Sequence, residues 1–500
     1  MSSLSPLGSF SGADGSNPEG ALIVDSAGDL IGVATSGGAH ADGAIFAFKN
    51  SGGVFAPSYA STPTLLASFS GADGSSPQGF VYADAHGDLF GVTRSGGVNG
   101  DGAVFELKNT GTVSSPTYAA SPTLLASFSG ADGSSPVGGL IADSKGDLLG
   151  VTSAGGANGD GAVFELQNMG TAAAPSYASS PTLLASFGNA STTGASPAGA
   201  LIADSNGDLF GVTSTGGTNG DGAVFELKNT GRSSAPSYAS TPTLLASFSG
   251  SNGASPQGAL VADANGDLFG VTSSGGAIGD GAVFELKNTG TASAPSYAAS
   301  PTTVLSFDGI DGATPAGGLI IDSSGDLFGV TSKGGANGDG AVFELQNTGA
   351  TAALSYASTP SALESFNGTN GSTPLAGLVA GPNGGLYGVT SAGGANSDGA
   401  AFDVATSSPS SPSGQEFLDL AWLAQEFHGG LHGWVAQLAE LMVESSFDNL
   451  QSNRSNPGFV YTGAPTSFGA ASTAFSTASL TGSSVFPTLA GAAGGAQTSP

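Results

Sequence analysis

One unit of about 59 residues, repeated seven times, decides what this chain can fold into. A short apolar run ending in Ser-Phe recurs at Phe10, Phe69, Phe128, Phe187, Phe248, Phe307 and Phe366. The spacing is 59 residues throughout except for a single interval of 61, whose two extra residues fall in the loop Gly188–Pro197. A fixed period of this length means that each copy is one supersecondary unit, which buries its apolar face only against its neighbours. In the second copy, PTLLASF (63–69) leads through the loop Ser70–Pro77 into a second run, Gly79–Asp84. A tight turn at Gly87-Asp88 precedes a third run, Leu89–Thr93, and a glycine-rich loop, Ser95–Gly102, precedes a fourth, Ala103–Leu107. Short runs of Val, Leu, Phe and Thr bounded by Gly, Pro, Asn and Asp read as strands, and no helical period interrupts them.

Four short strands per copy and seven copies predict an all-β fold, a seven-bladed β-propeller over residues 1–407 with four-stranded blades. From the axis outward the expected order is GFVYAD-like, DLFGVT-like, AVFEL-like and LLASF-like. The first LxSF run precedes the first complete blade, and none follows Val404. Leu4–Phe10 is therefore expected to supply the outermost strand of the last blade, which removes the open edge and locks the ring.

Composition narrows the function classes. The 500 residues include 84 Gly and no Cys, with 38 Asp or Glu against 9 Lys or Arg, for a net charge of −29. Phosphate neutralisation needs basic residues that are missing, so a nucleic-acid partner is excluded. Disulfide frameworks and cysteine–zinc sites are excluded as well. No stretch reaches the ~18 apolar residues of a membrane span, so no insertion is expected. The stretch Met1–Phe10 has no apolar core, and the first positive side chain is Lys49. Export, if it occurs, is expected without a cleaved N-terminal signal.

The pattern LxSF…DG…P…GLIxDxxGxLxGVTxxGG…GAVFxL, matched in order seven times over residues 4 to about 407, resembles the GloVer tandem repeat of bacterial choice-of-anchor proteins. The resemblance implies a surface-exposed or secreted propeller and carries no catalytic residues with it.

Two acidic loops stand out. An Asp-Gly pair closes the glycine-rich loop of every copy, at Asp42, Asp101, Asp160, Asp221, Asp280, Asp339 and Asp398. The loop leading into each next copy carries Asp14, Asp73, Asp132 and Asp311, with Asn252 and Asn370 as variants. Alternating hairpin connections put both loops on one face of the disc, as a ring of carboxylates suited to Ca2+, a glycan or a protein surface. Asp before Gly is also ordinary turn chemistry. The DxxGD turn offers oxygens at calcium-loop positions in Asp204-Ser-Asn206-Gly207-Asp208, yet its third position is Ala27 and Lys145 in other copies. That reads as a hairpin turn closed by an Asx bond. The acids of the AVFEL strand (Glu106, Glu165, Glu226, Glu285, Glu344, Asp403) alternate with apolar neighbours and are expected to face outward. No cofactor is required by any motif, and Ca2+ is an ion that the acid ring could bind.

Composition changes at the linker 408–415. The segment 416–451 carries a stripe of Leu420, Ala424, Phe427, Leu431, Trp434, Leu438 and Leu441, an amphipathic helix kinked at Gly429, Gly430 and Gly433. It is expected to dock a partner or a second copy of itself. His428 and His432 within it are spaced for a metal, although the glycines break the turn that would align them. The tail 452–500, uncharged from Ser455 onward, is expected to be disordered, and it resembles the C-terminal secretion region of one-step exporter substrates.

The functional expectation is a non-enzymatic binding or adhesion module of a bacterium, secreted or surface-associated, engaging its ligand on the Asp-Gly face. The alternative is a cytoplasmic scaffold that docks a partner through 416–451. A third reading is a lyase or hydrolase working in the central channel.

Overall fold

In a computed structural model, residues 3–405 are described apart from 55, 172–173, 189, 292–293 and 351–353. The expected linker 408–415, helix 416–451 and tail 452–500 lie outside the described residues, and with them the docking stripe from Leu420 to Leu441.

Seven antiparallel sheets form the described chain, one per repeat. Blade 2 is typical, with strands Ser75–Ala83, Leu89–Ser95, Ala103–Leu107 and Thr123–Ser127 hydrogen-bonded in that order. The first strand is longer than the sequence suggests. Ser75 and Pro77 already pair with Ser95 and Thr93, and a bulge between Gln78 and Tyr82 separates them from Tyr82↔Phe90. The two extra residues of the 61-residue interval make room for one helical turn, Ala190–Thr193.

The N-terminal strand closes the ring as expected. Ser3–Ser9 pairs antiparallel with Ala400–Ala405, with Leu4 opposite Val404 and Ser9 opposite Ala400. Its bulge at Pro6/Gly8 matches the one at Leu124/Ala126 in blade 2. Asn396 Nδ2 donates to the Phe10 carbonyl at 2.7 Å, as Asn99 Nδ2 does to Phe128 in an internal blade.

The core lies between blades. Each Ser-Phe phenylalanine plugs into the third strand of the next blade, edge to face: Phe10 on Phe46 at 4.7 Å, Phe69 on Phe105 at 4.9 Å, Phe128 on Phe164 at 4.8 Å. These rings are fully buried. Edge-to-face geometry adds attraction beyond the area removed from water. The repeated Phe is therefore the blade-to-blade rivet, and the last rivet, Phe10, is delivered by the other end of the chain.

Candidate functional site

Strand alternation puts the loop between second and third strands on the same face as the loop entering the next blade, and the contacts agree. Gly97 N donates to the Gly71 carbonyl at 2.9 Å, tying the two loops together. The main chain of each Asp-Gly pair then stitches one blade to the next. Asp101 O accepts from Ser135 N at 2.9 Å, Asp42 O from Ser76 N at 2.8 Å, and Asp398 O from Asn17 N at 2.9 Å across the closure. The acceptor side is fixed by the receiving residues, Asn17, Ser76, Ser135, Ser196, Ser255, Thr314 and Thr373, which all hold φ between 52° and 55°. The glycine of the pair has its own cause. A Cβ on Gly102 would stand 2.5 Å from Cδ of Pro136 in the next blade, and its φ is +102°.

Packing thus accounts for the glycine and for the aspartate's carbonyl, but not for its carboxylate. The carboxylates of Asp42, Asp101, Asp160, Asp221, Asp280, Asp339 and Asp398 are half-buried. Among the described residues none of them accepts a hydrogen bond from a side chain or main chain. Oδ2 of Asp101 rests beside Gly130 and Oδ2 of Asp221 beside Gly250, each 3.7 Å from where a Cβ would stand. The second acidic set behaves differently. Asp14, Asp73 and Asp132 cap their own turns, accepting from the main-chain nitrogens of Ser11, Ser70 and Ser129 at 2.8 Å. Asp311 accepts from Asp308 N at 3.1 Å, and Asn252 does the same work for Ser249 at 2.9 Å. An Asn that substitutes without loss marks a turn requirement rather than a charge requirement.

The opposite face carries the DxxGD turns. Their first Asp closes the expected Asx-turn: Asp84 Oδ1 accepts from His86 N and Asp88 N, both at 2.9 Å. The second Asp is buried and holds the next hairpin, with Asp88 Oδ1 accepting from Asn109 N at 2.7 Å. Its other oxygen pairs with a lysine, Lys108 at 2.5 Å or Lys228 (to Asp208) at 2.7 Å. Here the outward-facing expectation for the AVFEL acids is corrected. Glu106 is 17% exposed and lies 3.3 Å from Lys108, inside this network. The reason is a cover supplied by the neighbour. The loop after the third strand reaches back over the preceding blade, so that Tyr177 packs on Phe90 at 5.3 Å and Tyr59 on Tyr387 at 5.4 Å.

Burial without a lysine pushes some of these acids up. Asp403, desolvated and with an orphaned Oδ1, is raised to about 6. Asp322 is raised to about 6 by burial, with Asp326 adding repulsion. A cleft of ≈ 440 Å³ between blades 4 and 5 on this face is lined by Asp208, Lys228, Asn229 and Pro295, whose charged groups already pair with each other.

The central channel is walled by main chain at one level. A Cβ on Gly79 would overlap the Gly138 backbone, and one on Gly138 the backbone at Gly199–Ala200. The two single-copy histidines do not converge. His40 is exposed on the Asp-Gly face, and His86 pairs with Asp84 at 3.2 Å on the other.

A closed ring of seven near-identical blades with one unpaired carboxylate per blade defines a repeat β-propeller. The model of the Gloeobacter/Verrucomicrobia repeat matches residues 1–119, 61–241, 109–298 and 236–417, and the chain belongs to that family of bacterial repeat propellers. No curated protein sequence matches it. Among solved structures, the chain is similar to an ulvan lyase bound to its oligosaccharide, at 11% identity and a TM-score of 0.41 over 79% of this chain and 94% of that one. It is similar to the PQQ-bound aldose sugar dehydrogenase of Streptomyces coelicolor, at 12% identity and a TM-score of 0.39 over 68% and 95%. It is also similar to the Trypanosoma rangeli sialidase, at 11% identity and a TM-score of 0.34 over 66% and 54%. The expectation that the chain is not an enzyme is corrected: enzymes stand among the solved structures it is similar to. At such identities no reaction transfers from them.

Proposed function

We propose that the propeller is a multivalent binding module, which offers its Asp-Gly face to a glycan or protein surface outside the cell. One observation carries the reading: seven equivalent carboxylates, at Asp42 through Asp398, are left without hydrogen-bond partners among the described residues. The fold uses their main chain and the adjoining glycines. A feature repeated in every blade that packing does not need is best explained by a ligand that meets many blades. Seven weak and equivalent contacts suit a repetitive partner, because linked sites raise avidity without any single strong contact. The charge balance favours hydroxyl-rich or basic partners over anionic ones.

The test uses the full chain and a variant carrying Asp101→Asn, Asp160→Asn and Asp221→Asn on adjacent blades. Both are applied to a polysaccharide array and to washed bacterial cells, and the host's medium and lysate are immunoblotted alongside. The proposal expects the wild type in the medium, retained on at least one probe, with retention lost in the variant. Equal retention of both proteins, or retention of neither on any probe, overturns it. Protein confined to the lysate overturns the extracellular part.

A further inference from the structure

The DxxGD face repeats a small electrostatic device, and blade 3 keeps its acids without its lysine. In blades 2, 4 and 5 a lysine ammonium sits between two carboxylates. Lys108 lies 2.5 Å from Asp88 and 3.3 Å from Glu106. Lys228 lies 2.7 Å from Asp208 and 3.2 Å from Glu226. Lys287 lies 3.4 Å from Asp267 and 3.2 Å from Glu285. The acids of these blades therefore define a position for a cation, and the chain itself supplies one.

Blade 3 keeps all three acids, Asp143, Asp147 and Glu165, but has Gln167 where the lysine belongs, and that glutamine is exposed. Here the carboxylate oxygens lie within 4.8 Å of one another, and among the described residues this is the one group that converges so closely. Asp147 is 1% exposed. Its Oδ1 accepts from Asn168 N at 2.6 Å, whereas its Oδ2 is buried with no hydrogen bond. Oδ2 of Asp143 is buried and orphaned in the same way. The nearest cation, Lys145, sits at the third position of the turn. Its Nζ donates to the Pro236 carbonyl at 3.1 Å and stays 3.7 Å from Asp147, beyond hydrogen-bond reach. Blade 6 also has a glutamine at the lysine position, but Gln346 approaches Glu344 at 3.5 Å.

We propose that Asp143, Asp147 and Glu165 form a calcium site, in which a divalent cation takes the place that the lysine ammonium holds in blades 2, 4 and 5. The spacing suits the ion. Calcium–oxygen bonds of about 2.3–2.6 Å allow ligand oxygens up to about 4.8 Å apart to touch one ion. The donor set is all oxygen with no His or Cys, which selects a hard cation over zinc or copper. Three carboxylates beside one lysine leave two negative charges, which a divalent ion cancels.

The experiment titrates CaCl2 into the chelator-stripped full-length chain by calorimetry and follows its melting temperature with and without calcium. The decisive variant is Gln167→Lys, which restores the ammonium of the sister blades and so is compatible with the fold. Wild type is expected to bind calcium and to melt higher in its presence. Gln167→Lys is expected to melt normally without calcium and to lose both responses. Glu165→Gln is expected to weaken binding by about tenfold or more. Calcium binding by Gln167→Lys equal to that of the wild type overturns the assignment, because the ion would then sit elsewhere. Absence of any heat or melting shift in the wild type overturns it equally.

Discussion

Replacing Phe10 with Ala tests whether the first strand of the chain closes the ring. The Phe10 ring is fully buried and meets Phe46 at 4.7 Å and Phe48 at 5.9 Å. Its internal counterpart Phe128 is equally buried and meets Phe164 at 4.8 Å. Truncating a buried Phe to Ala costs about 3–5 kcal/mol, from lost transfer energy and the cavity left behind. A cooperative unit of about 400 residues has an unfolding entropy near 0.8 kcal/mol/K, so each substitution should lower the melting temperature by about 4–6 °C. Calorimetry of Phe10→Ala and Phe128→Ala side by side measures this. The reasoning requires the two shifts to agree, because both residues fill the same seat between blades. If Phe128→Ala shows the full shift and Phe10→Ala less than about 1 °C, the N-terminal strand does not carry the closure and blade 7 is held in some other way.

Three further outcomes follow from the same contacts. Asp403 has its folded pKa raised to about 6 from an ordinary 3.8, so the folded state holds its proton more tightly than the unfolded chain does. The favourable contribution is complete below the unfolded pKa and is lost as pH rises through about 6; Asp403→Asn should therefore raise the melting temperature at about pH 7.5 and leave it unchanged at about pH 3.5. Gly102→Ala places a Cβ 2.5 Å from Pro136 Cδ at a φ of +102°, and urea denaturation should show a loss of about 1–3 kcal/mol. Asp101→Asn should stay within about 0.5 kcal/mol of wild type in the same assay, because no hydrogen bond to its carboxylate is lost; a larger loss would return that aspartate to a structural role.

The blade count, the strand order and the closing strand were legible in the sequence because each follows from the spacing of one residue type. The Ser-Phe period counts the blades, and the missing run after Val404 points to Leu4–Phe10. The environment of Glu106 was not legible. Alternation within its strand places it opposite the buried Phe105 and Leu107, which reads as solvent. The solvent is displaced by the loop that carries Tyr177, which belongs to the next repeat, and Lys108 draws the acid inward. A pattern read within one unit misses what the neighbouring unit lays over it. The same limit hid the division between the two acidic sets, since both are Asp in loops on one face. Only the partners separate Asp73, whose carboxylate caps Ser70, from Asp101, whose carboxylate caps nothing among the described residues.

Repetition makes the departures informative. Asn99 and its equivalents Asn158, Asn219, Asn337 and Asn396 each donate to the carbonyl of a Ser-Phe phenylalanine. In blade 5 that place is taken by Ile278, 67% exposed, and the adjoining loop presents Ile310, 81% exposed. Neither isoleucine contributes the lost hydrogen bond or a buried surface, so the fold gains nothing visible from them. Ile278 lies two residues before Asp280, and Ile310 follows Gly309, beside which the Asp280 carboxylate rests; the equivalent positions are Asn99 and Ala131 for Asp101, and Asn219 and Ser251 for Asp221. A ligand that met all seven blades equally would leave no reason for blade 5 to carry isoleucine here, when the other blade without the asparagine, blade 1, carries His40. If the Asp-Gly face is the binding face, Ile278→Asn with Ile310→Ala should weaken retention on whatever probe the wild type prefers more than Val98→Ala does, although Val98 is 79% exposed on the same kind of loop. Equal effects from the two changes would mean that the ring binds as seven interchangeable sites, with blade 5 no different from the rest.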